Sequence, residues 1–253
     1  RSAATVLADR GYSALVGSAY QDAASAERLV QLFEAQRVDG LLLNPFTATP
    51  GFRTAIRRGA PTVYVDADAP DSAHCSVTAD HVAGGRMAVQ HLAAVGRRRI
   101  ALVRGPVHLS QIAGRLEGAR AACAELGLSC EELVASTYFV RGGMNAGEVI
   151  ASRPVSKRPD AIFAANDILA MGIITSLAER GIRVPDDVAV IGYDDTDFAL
   201  AARVPLTTLR QPATEIGARA AALLLEEIEG DPGHQHEATV LLPELIVRGS
   251  TLP

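Results

Sequence analysis

Pro159-Asp160-Ala161-Ile162-Phe163-Ala164-Ala165-Asn166-Asp167 is the stretch that decides how the chain is read. Residues 161–165 are continuously apolar, short and without polar alternation, the pattern of a strand buried on both faces. The run stops on an amide and a carboxylate, side chains able to accept the free N–H groups at a helix start. Residues 168–180 then follow a helical pattern up to Gly181, which can take a left-handed cap. The next segment returns to the same beginning: Val188–Tyr193 is an apolar run that ends on Asp194-Asp195.

Working outward, strand-like runs at Ala14–Ala19, Gly40–Asn44, Thr62–Asp66, Ile100–Gly105 and Leu133–Thr137 alternate with helical patterns at about 23–37, 51–58, 81–95, 113–126 and 143–152. This alternation predicts an α/β fold whose parallel, doubly wound sheets carry helices on both faces. The tail differs. Gln211-Pro212 leads into a helix of about 213–229, then a turn at Gly230-Asp231-Pro232-Gly233. Two strand-like runs follow, Ala238–Leu242 and Glu244–Val247, split by Pro243, which suits short connecting strands rather than central ones.

The composition fits this reading and narrows the function. A chain of 253 residues that is 48% apolar can fill one large domain or two lobes of roughly 120 residues each. A net charge of −5 argues against this segment gripping a phosphate backbone, which needs clustered Lys and Arg. The one basic run, Arg97-Arg98-Arg99, is short and reads as a solvated loop before a strand. Three cysteines without CxxC spacing (Cys75, Cys123 and Cys130) suit a reduced, cytoplasmic protein. No apolar stretch approaches the ~20 residues that span a bilayer, and no signal peptide is visible, so neither membrane nor secretion is expected.

Parallel α/β sheets place their working residues just past the carboxyl ends of the strands. Here those positions hold Ser18 to Asp22, Asn44-Pro45-Phe46, Asp66-Ala67-Asp68, Pro106 to Gln111, Tyr138-Phe139, Asn166-Asp167 and Asp194-Asp195. Amides, carboxylates and aromatics dominate, and no nucleophile is paired with a base. Such a set suits a polyhydroxylated ligand: Asp, Asn and Arg engage hydroxyls, and an aromatic ring covers the apolar face of a sugar. For Asn166 and Asp167 a purely capping role explains the residue types equally well, and Arg115 taken alone reads as a solvated helical charge. Enzyme signatures are missing: there is no P-loop, HExxH or GxSxG, and Gly142-Gly143 with Gly147 does not make a dinucleotide fingerprint. No metal site is expected either. His234 and His236 sit in a Gly/Pro-flanked turn that reads as a surface loop, and His74 and His81 lack a zinc-ligand spacing to Cys75.

Six blocks, in order, resemble the effector-binding core of LacI/GalR-type bacterial repressors. They are Val77-Thr78-Ala79-Asp80-His81 with Gly84-Gly85, His91-Leu92, Gly96 and Arg99-Ile100-Ala101; Gly105-Pro106 with Arg115-Leu116-Glu117-Gly118; Pro159 to Asp167 with Ala170 and Gly172; Val184 to Asp195; Pro205-Leu206-Thr207-Thr208 with Gln211-Pro212 and Gly217; and Pro243 to Arg248 with Ser250-Thr251. They cover about four-fifths of the chain, and the remainder fits more loosely at Gly11-Tyr12, Glu27 and Val38-Asp39-Gly40. Two positions depart from the pattern: His81 stands where Asn is usual, and Arg97 where His is usual.

The resemblance implies a bilobed, type I periplasmic-binding-protein-like fold with crossovers. One lobe is expected at 1–78 plus 211–242 and the other at 79–210 plus 243–253. A ligand, expected to be a neutral sugar or polyol, would lie in the cleft between them and couple to lobe closure. By position in the matching blocks, Arg115, Asn166 and Asp194 resemble polar ligand contacts from the second lobe and Asp66 the contact from the first. Tyr138 resembles a ring-stacking position, and Gln211 sits at the hinge. The resemblance further implies a homodimer that reaches operator DNA only through a headpiece expected, with the hinge and first strand, to lie outside this sequence. It implies no cofactor and no catalysis. The runner-up is a periplasmic sugar-binding protein of an uptake system, but the blocks from Pro205 to Thr251 favour the repressor.

Overall fold

In the computed structural model, residues 1–19, 23–44, 60–106 and 109–252 are described. The helix expected at 51–58, Gly59, Tyr20-Gln21-Asp22, Pro45-Phe46 and residues 107–108 lie outside them. The chain divides into two compact units, Arg1–Ala79 with Pro212–Leu241, and Asp80–Gln211 with Leu242–Pro253.

The first unit holds a parallel sheet of order β1-β2-β3-β9, where β1 is Leu41–Leu43, β2 Thr62–Val65, β3 Cys75–Ala79 and β9 Ala238–Leu241. Helix α8 (Ala213–Ile228) packs Ile216, Ala220, Leu223 and Leu224 against Val63, Cys75 and Val77. Helices α1 (Ser2–Asp9) and α2 (Ala23–Ala35) complete the described helices of this unit.

The second unit is built on six strands in the order β10-β8-β7-β6-β4-β5. These are β4 (Arg99–Arg104), β5 (Ser129–Val134), β6 (Ala161–Ala164), β7 (Ala189–Tyr193), β8 (Thr207–Arg210) and β10 (Glu244–Ile246). All neighbours are parallel except β10 with β8. From β4 the chain moves outward to β5, then returns to the other side of β4 as β6. The strand order therefore reverses between β4 and β6, where an open α/β sheet leaves a crevice at its carboxyl edge. The helices after these strands are α4 (Ser110–Glu125), α5 (Val140–Ala151) and α6 (Asp167–Glu179); α3 (His81–Ala94) opens the unit and α7 (Asp197–Ala201) follows β7. Helices α3 and α4 meet backbone to backbone: a Cβ on Gly85 would fall on the Arg115 carbonyl, and one on Gly118 on that of Val82. That close approach fixes where α4 presents Arg115.

Two expected strands need correction. Ala14–Ala19 forms no strand; Leu15 and Val16 are 61% and 93% exposed. A β-prone run becomes a strand only with a ladder partner, and no described strand pairs with this one. The run expected at Leu133–Thr137 lies at Ser129–Val134, because an edge strand exposed or half-exposed along its whole length carries no continuous apolar signal. Strands β3 and β8 were not expected as strands. Both are short and rich in Thr, Ser or Cys, and their burial is decided by neighbours on either side.

Candidate ligand-binding site

Five of the six expected site residues form one connected set at the carboxyl edge of the second sheet. Arg115, one turn and a half into α4, is 4% exposed. Its Nη1 donates to the Ala165 carbonyl at the end of β6 over 2.6 Å, and Nη2 lies 3.2 Å from Asp194 Oδ1. Its Nε donates to His81 Nδ1 at 3.4 Å, and its guanidinium carbon sits 3.6 Å above the Tyr193 ring. The charge is thus paired and stacked while removed from water, as a buried cation must be. The reading of Arg115 as a solvated helical charge is excluded. His81, where the related pattern has Asn, supplies an acceptor to the same guanidinium.

Asp194 follows β7 with φ 111°, and Asp195 has φ 52°. Non-glycine residues rarely adopt such values, and they persist where surrounding contacts hold them. Asp194 Oδ1 accepts a 2.7 Å hydrogen bond from Gln211 Nε2 as well as facing Arg115. Asp195 has a different task. Burial alone would raise its carboxyl, but the Arg248 and Arg210 guanidiniums at 2.6 and 2.7 Å outweigh it and hold the pKa low. The adjacent carboxylates therefore separate into one at the site and one that ties the β7 end to β8 and the C-terminal segment.

Asn166 caps α6 through Oδ1, which accepts from Leu169 N at 2.8 Å, and its Nδ2 donates to the Tyr138 carbonyl at 3.4 Å. Capping is realised, and the same amide links the β6 end to the segment after β5. Tyr138 is half-buried and lies over Gly105 at the end of β4, so close that a Cβ there would meet its ring at 2.6 Å. Burial pushes the phenol up against the pull of Arg104 and Arg115. Asp66, the sixth residue, stands in the first unit just after β2, with φ 52° and its N–H bonded to the Val77 carbonyl at 2.8 Å.

Asp167 was not singled out as a site residue. It is fully buried and accepts from Thr208 Oγ1 (2.6 Å), Thr196 N (2.7 Å) and Thr196 Oγ1 (3.2 Å). Burial pushes its carboxyl up to about 6, the three donors and the neighbouring Asp194 only trimming or adding to that shift. It pins the loop that carries Asp194 and Asp195. The only sequence signal was its place after Asn166, where a helix-start explanation was sufficient.

Elsewhere, in the first unit, the structure gathers Cys75, Glu227, His234 and His236, whose ligand-type atoms lie within 4.8 Å of one another. The turn expected to be a plain surface loop thus directs both imidazoles onto β3 and α8. Among the described residues no helix is long and apolar enough to cross a membrane.

Comparison with known proteins identifies the family and the fold. The family described as "Periplasmic binding protein-like domain" matches residues 89–251. The ribose operon repressor of Escherichia coli (strain K12) is 35% identical over 246 residues, covering 96% of this chain and 74% of that protein. The transcriptional regulator MalR of Streptomyces coelicolor is 33% identical over 257 residues, covering 97% and 73%. Among solved structures, a CelR–cellobiose complex superposes with a TM-score of 0.88 at 31% identity, covering 98% of this chain and 76% of that one. A LacI family regulator from Enterococcus faecium with bound ribose gives 0.88 at 26% identity, covering 100% and 92%.

Proposed function

Since the chain belongs to the LacI family of transcriptional regulators and carries their periplasmic-binding-protein-like sensing module, we propose that it binds a neutral sugar or polyol through Arg115, Tyr138, Asn166, Asp194 and Gln211. We assign Asp66 of the first unit the same task. The observation that carries this reading is the Arg115–Asp194 pair at the strand-order reversal of the second sheet. The pair balances its own charge and so offers no free cation to a phosphate, while its carboxylate and fork of N–H groups suit vicinal hydroxyls. Tyr138 supplies a ring to cover an apolar sugar face. The sugars named for two of the matched structures, cellobiose and ribose, are of this chemical class.

Ligand binding then acts as a signal rather than the first step of a reaction. It shifts a conformational equilibrium by the difference in its affinity for the two states. In a cytoplasmic homodimer that shift would reposition two DNA-binding headpieces relative to operator half-sites. The module itself, at net charge −5, would leave DNA contact to those headpieces. A thermal-shift panel of neutral pentoses, hexoses, disaccharides, polyols, sugar phosphates and nucleobases tests the reading. A neutral sugar or polyol should raise the melting temperature in a concentration-dependent way. Stabilisation by phosphorylated or nucleobase ligands alone would overturn it.

A further inference from the structure

We propose that the first unit contains a structural site for a divalent transition metal, zinc above all, formed by Cys75, Glu227, His234 and His236. These residues come from three places: Cys75 from β3, Glu227 from the last turn of α8, and the two histidines from the loop leading into β9. Cys75 Sγ lies 3.6 Å from His234 Nε2 and 3.7 Å from His236 Nδ1. Glu227 Oε1 lies 3.5 Å from His234 Nε2 and 3.6 Å from His236 Nδ1.

These separations are long for N–H···O bonding but close to the edges of a coordination tetrahedron. With Zn–S at about 2.3 Å and Zn–N or Zn–O at about 2.0–2.1 Å, tetrahedral angles put neighbouring ligand atoms roughly 3.3–3.6 Å apart. One buried atom points the same way. Among the described residues Glu227 Oε1 accepts no hydrogen bond although it is removed from solvent and faces both imidazoles. A buried carboxylate oxygen left in this state calls for an ion or water among its neighbours.

The surroundings are arranged as those of metal ligands are. His234 Nδ1 is 3.0 Å from Glu226 Oε2, which orients the ring and leaves Nε2 for the metal. The Glu237 N–H donates to Cys75 Sγ at 3.5 Å, which fixes the position of the sulfur. Arg219 bridges the outer carboxylates, 3.6 Å from Glu226 and 2.8 Å from Glu237. Cys75 is fully buried and the side chains of His234 and Glu227 are 9% and 11% exposed, so the ion would be sheltered on three sides, with His236 at 35% exposure facing solvent. Four protein ligands fill a tetrahedron and leave no open position for a substrate, which makes the site structural rather than catalytic. On binding, the Cys75 thiol gives its proton to solvent and ligates as thiolate. The ion would staple the α8–β9 loop to β3, the strand with which β9 pairs.

The experiment uses untagged protein, freed of metal by a chelator and titrated with Co²⁺, whose visible absorption reports coordination number and whose near-ultraviolet band reports thiolate ligation. The expected result is one equivalent bound, with intense four-coordinate bands and a sulfur charge-transfer band, displaced by one equivalent of Zn²⁺, and a melting temperature raised by Zn²⁺. His236→Ala, on the most exposed ligand, should fold and weaken Co²⁺ binding at least 10-fold. Cys75→Ser should abolish the charge-transfer band. Absence of stoichiometric binding, six-coordinate spectra, or binding unchanged in His236→Ala would overturn the proposal. Because the site lies within the first unit, its failure leaves the sugar reading untouched.

Discussion

Arg115 and Asp194 meet 3.2 Å apart at the carboxyl edge of the second sheet, one from the helix after β4 and the other from the turn after β7. The helix side is buried and the carboxylate side is partly open, at 4% and 31% exposure, so the pair presents an anionic face backed by a fixed cation. Charge-assisted hydrogen bonds of this kind contribute about 1.5–3 kcal/mol. Asp194→Asn should therefore weaken sugar binding by roughly 10- to 100-fold in calorimetry. The melting temperature should fall only a few degrees, since the Asn oxygen can still accept from Gln211. Unchanged affinity would remove Asp194 from the site.

Arg115→Met separates recognition from packing. Its stem volume is kept, but Asp194 loses its guanidinium partner while keeping Gln211, and the Ala165 carbonyl loses the Arg115 donor. Partial exposure of Asp194 lets water replace part of what is lost, so destabilisation should be modest, about 1–3 kcal/mol in urea unfolding. Ligand affinity should drop by at least 10-fold. A variant that binds normally would show that the guanidinium serves only as structure.

Asp167 gives the stability a pH dependence of defined sign. Its carboxyl, pushed up to about 6 by burial in the folded state, has an ordinary value of 3.8, so between those values the folded state holds the extra proton. Its contribution to stability is therefore greatest below pH ~4, declines as pH rises to ~6, and is flat above, a span of roughly 3 kcal/mol. Asp167→Asn does not titrate. The stability advantage of the parent over this variant should shrink from pH 4 to pH 7 in denaturant titrations, and a constant difference would refute the assignment.

Gly85→Ala tests the α3–α4 contact that positions Arg115. The added methyl falls on the Arg115 carbonyl, which belongs to helical backbone and cannot rotate away. Overpacking of this kind should cost about 3 kcal/mol or more, a fall of roughly 6–12 °C in melting temperature, with a parallel loss of ligand affinity. Gly96→Ala has nothing within 4 Å of the added carbon but strains φ 87°, and should lower stability without selectively lowering affinity.

Tyr138→Ala should reduce sugar affinity by about 3- to 10-fold, the worth of one ring face at ~0.5–1.5 kcal/mol. Tyr138→Phe keeps the ring and should retain most of the affinity. Equal losses in both variants would mean that the phenol oxygen, not the ring, contacts the ligand.

The apolar runs 161–165 and 188–193, each ended by polar residues and followed by turn or helix signals, determined the parallel α/β class and marked Asn166 and Asp194 as strand-end positions. Local pattern suffices there because a strand buried on both faces must be apolar throughout. The same pattern misplaced Ala14–Ala19 and β5, since whether a run pairs, and how much of it is exposed, depends on neighbours distant in sequence. Arg115 read as an ordinary helical charge; only the crossing of α3 and α4 at Gly85 and Gly118 turns it inward onto Ala165, Asp194 and Tyr193. Asp167 looked like a helix start and became a buried carboxylate because β8 and the Thr196 turn close over it. Cys75 stands 152 positions from Glu227 and further still from His234 and His236, so no spacing rule could join them, and the pairing of β3 with β9 beside α8 does. What one element needs is written in adjacent residues; which charges, thiols and imidazoles become neighbours is decided by chain crossings that bring distant segments together.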